Sequence, residues 1–200
     1  MGCLIREEVK KEMIDYKLIS ERIMTITLRK KEVYTFIVVY GPNEDDKEDN
    51  KTSFWEKLQM TFEKARGIII VLGDLNCRVG NDTKKNFGII GRYGEEKINN
   101  NGKRLVDFCR ANQLIVSNTF FQHKDAHKYT REVTSRDEKS IIDYIIIAEK
   151  DKKLIQDVRV YRSPEIGSDH FLLTGKLKVS NDKNDQKPVK IPVKKVIKTY

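Results

Sequence analysis

The run Ile68-Ile69-Ile70-Val71-Leu72, followed at once by Gly73-Asp74-Leu75-Asn76, constrains this chain more than any other stretch. It is too short for an ordinary helix, is dominated by β-branched residues and has no polar side to show to water. Such a segment reads as a strand buried on both faces, and that requires a packing layer above and below it. The strand stops at a carboxylate and an amide two residues apart. In extended backbone these point the same way, as a pair that grips a water or a phosphate oxygen would. Gly-Asp-x-Asn is also good turn chemistry, and the tetrapeptide alone does not choose between the two.

Other segments supply the expected layers. Residues 22–29 alternate apolar and polar side chains and predict a half-buried strand; Tyr34 to Tyr40 predicts a second, ended by Gly41-Pro42-Asn43. Glu44 to Lys51 reads as a solvated loop. Ser53-x-x-Glu56 resembles a capping box, ahead of Phe54, Leu58, Phe62 and Ala65 on one helical face. Residues 78–101, rich in Gly and Asn, read as a long surface loop, and Leu105, Phe108, Cys109 and Asn112 as a short helix. Leu114 to Val116, Ile141 to Ala148 and Phe171 to Val179 are further strands. Residues 181–200 lack a periodic face and hold Pro188 and Pro192, so they read as a basic linker or tail. Strands interleaved with helices predict an α/β or α+β layered fold.

Charge narrows the partners. The net charge is +9; six Lys and two Asp in the last twenty residues supply +4 of it, leaving residues 1–180 at +5. A moderately basic body suits an anionic partner such as nucleic acid, and equally a solvated Lys-rich surface. Cys3, Cys77 and Cys109 are odd in number and far apart, with no CxxC pair or Cys/His cluster, which argues against a disulfide framework or zinc and for a reducing compartment. Charges at Arg6, Glu7 and Glu8 fall where a signal peptide needs an apolar core, and no stretch approaches a membrane span. A soluble nuclear or cytoplasmic protein is expected.

Two further segments carry chemistry. Asp143 lies inside Ile141-Ile142-Asp143-Tyr144-Ile145-Ile146-Ile147, where burial is costly without a partner. Holding the second ring nitrogen of a histidine would be a natural role; an edge-strand position facing water is the alternative. Ser168-Asp169-His170 precedes the last strand, and it joins a hard oxygen ligand suited to Mg²⁺ to the side chain best able to move protons near neutral pH.

Val39-Tyr40-Gly41-Pro42-Asn43, Gly73-Asp74-Leu75-Asn76, Ile142-Asp143-Tyr144 and Ser168-Asp169-His170, in that order and each at a strand end, resemble the endonuclease/exonuclease/phosphatase superfamily, which includes deoxyribonuclease I and the apurinic/apyrimidinic endonucleases. Asn101-Gly102-Lys103-Arg104-Leu105-Val106-Asp107-Phe108, Ser117-Asn118-Thr119-Phe120-Phe121 and His127-Lys128-Tyr129-Thr130 look more closely like the endonuclease domains of non-LTR retrotransposons and craniofacial development protein 2-like proteins. That subgroup commonly has Trp where this chain has Arg131.

The resemblance implies a layered α/β sandwich of the deoxyribonuclease I-like type over residues 1–180. It implies that Asp169 contributes to a Mg²⁺ site (Mn²⁺ being the alternative ion). His170, oriented by Asp143, contacts the scissile phosphate. Asp74 positions or deprotonates the attacking water, and Asn76 orients it and the phosphate; the resemblance does not decide whether Asp74 or His170 is the base. Tyr40 donates to a phosphate oxygen, while Asn43 and Ser168 contribute to substrate binding. It also implies that the domain is N-terminally truncated. The family begins with a strand ending in a functional Asn and another ending in a metal-binding Glu. Glu7, Glu8, Glu12 and Glu21 lack the expected Gln-Glu-Thr setting. The expected function is Mg²⁺-dependent DNA nicking, with a reverse transcriptase domain downstream in the intact gene. The alternative is an inactive truncated remnant acting at most as a nucleic-acid-binding or interaction module.

Overall fold

The computed structural model describes residues 2–162, 167–179 and, by backbone alone, 189–193. A short helix α1 (Glu7–Lys10) leads into three antiparallel neighbours, β1 (Met13–Ser20), β2 (Ile23–Arg29) and β3 (Val33–Tyr40). Helix α2 (Glu48–Lys64) then crosses back so that β4 (Ile68–Asp74) runs parallel to β3. Helix α3 (Asn100–Ala111) precedes β5 (Leu114–Val116), a hairpin of β6 (Arg131–Val133) and β7 (Glu138–Ser140), and then β8 (Asp143–Ala148). The order in the main sheet is β1-β2-β3-β4-β8-β5. Strands β9 (Ile155–Tyr161), β10 (Leu172–Leu177) and β11 (Val189–Val193) form a second sheet in the order β11-β10-β9.

Strand β4 explains the layering. Val71 packs into a core with Phe54 and Leu58 of α2 and Leu105, Phe108 and Cys109 of α3. Its neighbours Ile70 and Leu72 face the other way, into a core shared with Val158 and Val160 of β9 and Leu173 and Leu177 of β10. Alternate side chains on a strand leave opposite faces, so a strand covered by helices on one side and a sheet on the other must be apolar at every position. The chain is a layered α/β sandwich of the deoxyribonuclease I-like type.

Several local expectations change. Helix α2 starts at Glu48, leaving Ser53 inside the helix rather than at its cap; Glu48 and Asp49 in the first turn complement the helix dipole, and the N–H groups of Asn50 and Lys51 already bond the Lys47 carbonyl. Strand β2 is buried from Ile23 through Ile26 instead of alternating, because it lies inside the sheet with a layer on each side. The loop after β4 is not wholly superficial: Val79, Ile89 and Ile90 join the helix-side core. Strand β1 escapes sequence reading because both of its faces are mostly exposed. In the segment read as a tail, Val189–Val193 pairs with β10, with Pro192 opposite Thr174; Pro188 lies outside the described residues. Edge pairing by backbone needs no periodic side-chain face.

Candidate active site

Register brings the first three site residues into one row. Tyr40 lies beside Asp74 in the parallel β3–β4 pair, and Asp74 lies opposite Asp143 in the antiparallel β4–β8 pair. All three sit where their strands end, which is where such folds open to solvent. Asp143 is buried on an interior strand, so the water-facing alternative does not hold.

His170 reaches this row from a distant segment. The stretch before β10 docks on the start of β6: the N–H of Glu132 donates to the Asp169 carbonyl at 2.9 Å, and that of Phe171 to the Thr130 carbonyl at 2.8 Å. His170 Nδ1 then lies 3.0 Å from Asp143 Oδ2, and Nε2 lies 3.8 Å from Asp74 Oδ2. With Asp143 as carboxylate, Nδ1 carries the proton and donates, which leaves Nε2 turned toward Asp74. The imidazole is buried between two buried carboxylates. The Ser168 hydroxyl accepts the His170 N–H at 3.1 Å, so it shapes the turn ahead of the imidazole.

Asn76 adopts a left-handed backbone conformation with φ of 50°. Its N–H donates to Asp74 Oδ1 at 3.0 Å and its side-chain amide to the Gly41 carbonyl at 3.1 Å. The β3 and β4 ends are pressed together here. A Cβ on Gly41 would lie 2.3 Å from the Leu75 carbonyl oxygen, and one on Gly73 would lie 2.0 Å from that of Val39. Only glycine allows backbones this close.

These residues line a cleft of about 520 Å³ that contains Tyr40, Asn43, Asp74, Asn76, Asp169 and His170. Asp143 lies beneath it, and Ser168 is not among its lining residues. The Asp169 carboxylate accepts from Arg131 Nε at 2.7 Å. Arg22 stacks over the Tyr40 ring at 5.2 Å. Asn43 is exposed, and its N–H caps the Asp46 carboxylate at 2.9 Å.

Sequence reasoning missed the arginines. Arg78, Arg131 and Arg136 also line the cleft. Buried Glu95 binds the Arg78 guanidinium, which further donates to Glu138 at 3.0 Å and the Lys139 carbonyl at 3.2 Å. Burial pushes the Glu95 carboxyl up, although Arg78 and the Ile141 N–H oppose the shift. Arg78, two residues beyond Asn76 on the same loop, and Arg131, at the departure from the subgroup pattern, were the available signals.

The superfamily resemblance carries a divalent ion with it. Asp74, Asp143 and His170 offer ligand atoms within 4.8 Å of one another, and among the described residues they form a candidate metal cluster. Carboxylate oxygens suit a hard cation, while the Asp143–His170 hydrogen bond engages two of these donors with each other. Asp74 is the carboxylate of this cluster that lines the cleft, and Asp169 lines the same cleft with its carboxylate on Arg131, a donor set that fits a hydrated divalent ion.

An α/β sandwich with an Asp–His couple and a cleft carboxylate at the strand ends defines the endonuclease/exonuclease/phosphatase class. The chain belongs to the family described as Endonuclease-reverse transcriptase, whose sequence model matches residues 34–174. It is 30% identical over 182 residues to craniofacial development protein 2 of Bos taurus, covering 90% of this chain and 30% of that protein. The chain thus spans about a third of that relative's length. Among solved structures it is similar to an AP endonuclease from Archaeoglobus fulgidus (TM-score 0.60, 16% identity, 84% of this chain and 72% of that one). It is also similar to the endonuclease domain of TRAS1, a telomere-specific non-LTR retrotransposon (TM-score 0.55, 17% identity, 80% of this chain and 65% of that one). At these identities the structural likeness concerns the fold. No described helix is long and apolar enough to cross a membrane.

Proposed function

We propose that this chain is a DNA endonuclease domain of retrotransposon origin that nicks DNA by Mg²⁺-assisted phosphodiester hydrolysis, with Mn²⁺ as an alternative ion. The observation that carries this reading is the row Tyr40–Asp74–Asp143 closed by His170, with Asp143 holding Nδ1 and Nε2 turned toward Asp74. In-line attack needs a positioned water, a group to take its proton, and neutralisation of charge on the phosphoryl oxygens and the leaving oxygen. Asp74 or His170 takes the water proton, and Asn76 and Tyr40 orient the phosphate. Ser168 supports the His170 turn, and Asn43 extends the binding wall. Asp74 and Asp169 would hold the metal, which when bound would supply charge neutralisation. Arg78, Arg131 and Arg136 lie along the wall that the DNA backbone would meet, Arg78 paired with Glu95 and Glu138 and Arg131 with Asp169. An intracellular, nuclear or cytoplasmic setting and a downstream reverse transcriptase domain belong to the same reading.

Supercoiled plasmid tests it. Nicking that needs Mg²⁺ or Mn²⁺, stops with chelator and falls by about 10²- to 10⁴-fold in His170→Ala and Asp74→Ala is the expected result. A folded protein that nicks with neither ion refutes it. One observation favours a second reading, an inactive nucleic-acid-binding module: Arg131 engages the Asp169 carboxylate expected at the metal. DNA retention without nicking would establish that reading instead.

A further inference from the structure

We propose that Asn101 is a positioning residue for Asn76. It never reaches the cleft, being 0% exposed at the first turn of α3. Its Nδ2 donates to the Pro42 carbonyl at 2.9 Å and to the Asn76 carbonyl at 3.4 Å, while Asn99 Nδ2 donates to the same Asn76 carbonyl at 3.1 Å. The β3-end loop and the β4-end loop are therefore tied together from behind by one side chain. On the cleft side the Asn76 amide makes the matching tie to Gly41. Asn76 is thus fixed in its left-handed conformation at the N–H, the side chain and the carbonyl.

Contacts through three residues, Glu44, Asn99 and Gly102, seat α3 for this task. Glu44, a cleft residue, accepts the N–H of Asn100 at 2.9 Å and of Asn101 at 3.1 Å. Asn99 Oδ1 accepts from Gly102 at 2.7 Å and from Arg78 at 2.8 Å. A Cβ on Gly102 would lie 1.8 Å from the Arg78 carbonyl oxygen, so the helix rests directly on the loop that follows Asn76. The first N–H groups of α3 are consequently spent within the protein, and this end of the helix holds a loop rather than an anion.

The chemistry of Asn101 supports the assignment. Its Oδ1 is buried without a hydrogen-bond partner. Leaving a buried acceptor unmade is costly. An apolar residue would avoid that cost but would leave the Pro42 and Asn76 carbonyls without this donor. Asn101 therefore serves through its donor half.

The inference rests on the endonuclease reading for its consequence and on geometry for its existence, so the test has two arms on the full chain. In the nicking assay Asn101→Ala lowers kcat by about 10- to 100-fold, the scale of a misplaced catalytic group, with KM little changed. In an Asn76→Ala background the same substitution costs nothing further. Additive losses in the double variant overturn the assignment, because a generally weakened fold would still add its own loss. If the wild type does not nick, the endonuclease reading fails and NMR of the Asn76 side-chain amide decides instead. Its protected, dispersed signals collapse toward solvent-exposed values in Asn101→Ala; unchanged signals overturn the proposal. Asn101→Leu, which nearly keeps the volume, removes the donor and leaves no buried acceptor of its own unmade, serves both arms if Asn101→Ala does not fold.

Discussion

Replacing Thr130 by Val exchanges a hydroxyl for a methyl at a position that is 0% exposed. The hydroxyl oxygen accepts two backbone N–H groups, from Ile142 at 3.0 Å and Asp143 at 3.2 Å. The variant leaves both donors in a place water does not reach. A buried donor without an acceptor costs about 1–3 kcal/mol, and relief from burying the hydroxyl itself offsets part of the sum, so the net loss should be about 2–4 kcal/mol. For a chain of this size each kcal/mol moves the melting temperature by about 2–4 °C, so Tm should fall by about 4–16 °C. Urea denaturation followed by tryptophan fluorescence gives the free energy, and calorimetry the Tm. The damage should also extend to the cleft. The Thr130 carbonyl accepts the Phe171 N–H beside His170, while the two orphaned amides lead into Asp143, so the His170–Asp143 distance of 3.0 Å depends on this residue from both sides. A loss below about 0.5 kcal/mol, the level of an ordinary surface substitution, would refute the reasoning.

Gly73→Ala should prevent folding or lower Tm more than Thr130→Val does, because φ of 142° and the Val39 carbonyl both exclude a Cβ; a soluble variant with wild-type Tm would contradict this. Burial pushes the thiols of Cys77 and Cys109 well above their ordinary value, so maleimide at pH 7.5 should label Cys3 in the native protein and all three thiols after unfolding, as read by intact mass. The Glu95 carboxyl, raised from 4.5 by burial, holds its proton in the folded state to higher pH than in the unfolded chain. Its contribution to stability is therefore present below pH 4.5 and declines as pH rises through the raised value. Relative to Glu95→Gln, the wild type should lose stability over that interval in a pH series of urea melts; a parallel pair of curves would count against it.

The layered fold was legible because its evidence is local. An unbroken apolar run can satisfy only a strand covered on both sides, and β4 meets helices through Val71 and a sheet through Ile70 and Leu72. Polar residues at the end of an apolar strand marked Asp74 and Asn76, and a carboxylate inside an apolar run marked Asp143, for the same local reason. Strand β1 was hidden because its exposed faces leave no pattern, and the start of α2 because its first turn is charged rather than apolar. Glu95 gave no signal: a charged residue in a Gly- and Asn-rich loop looks solvated until packing buries it against Arg78.

The sequence by itself marked the apolar strands of the layers and the segments beside them that carry carboxylates, amides and the imidazole. Only the tertiary structure decided the remaining pairings of polar groups: that Arg131 takes the Asp169 carboxylate, that Arg78 lies on buried Glu95, and that a buried asparagine on α3 braces Asn76 from behind. Hydrophobic periodicity is a property of neighbouring residues and survives in a string. A hydrogen bond between distant side chains depends on strand register and on distances of a few tenths of an ångström, and these exist only once the layers have packed.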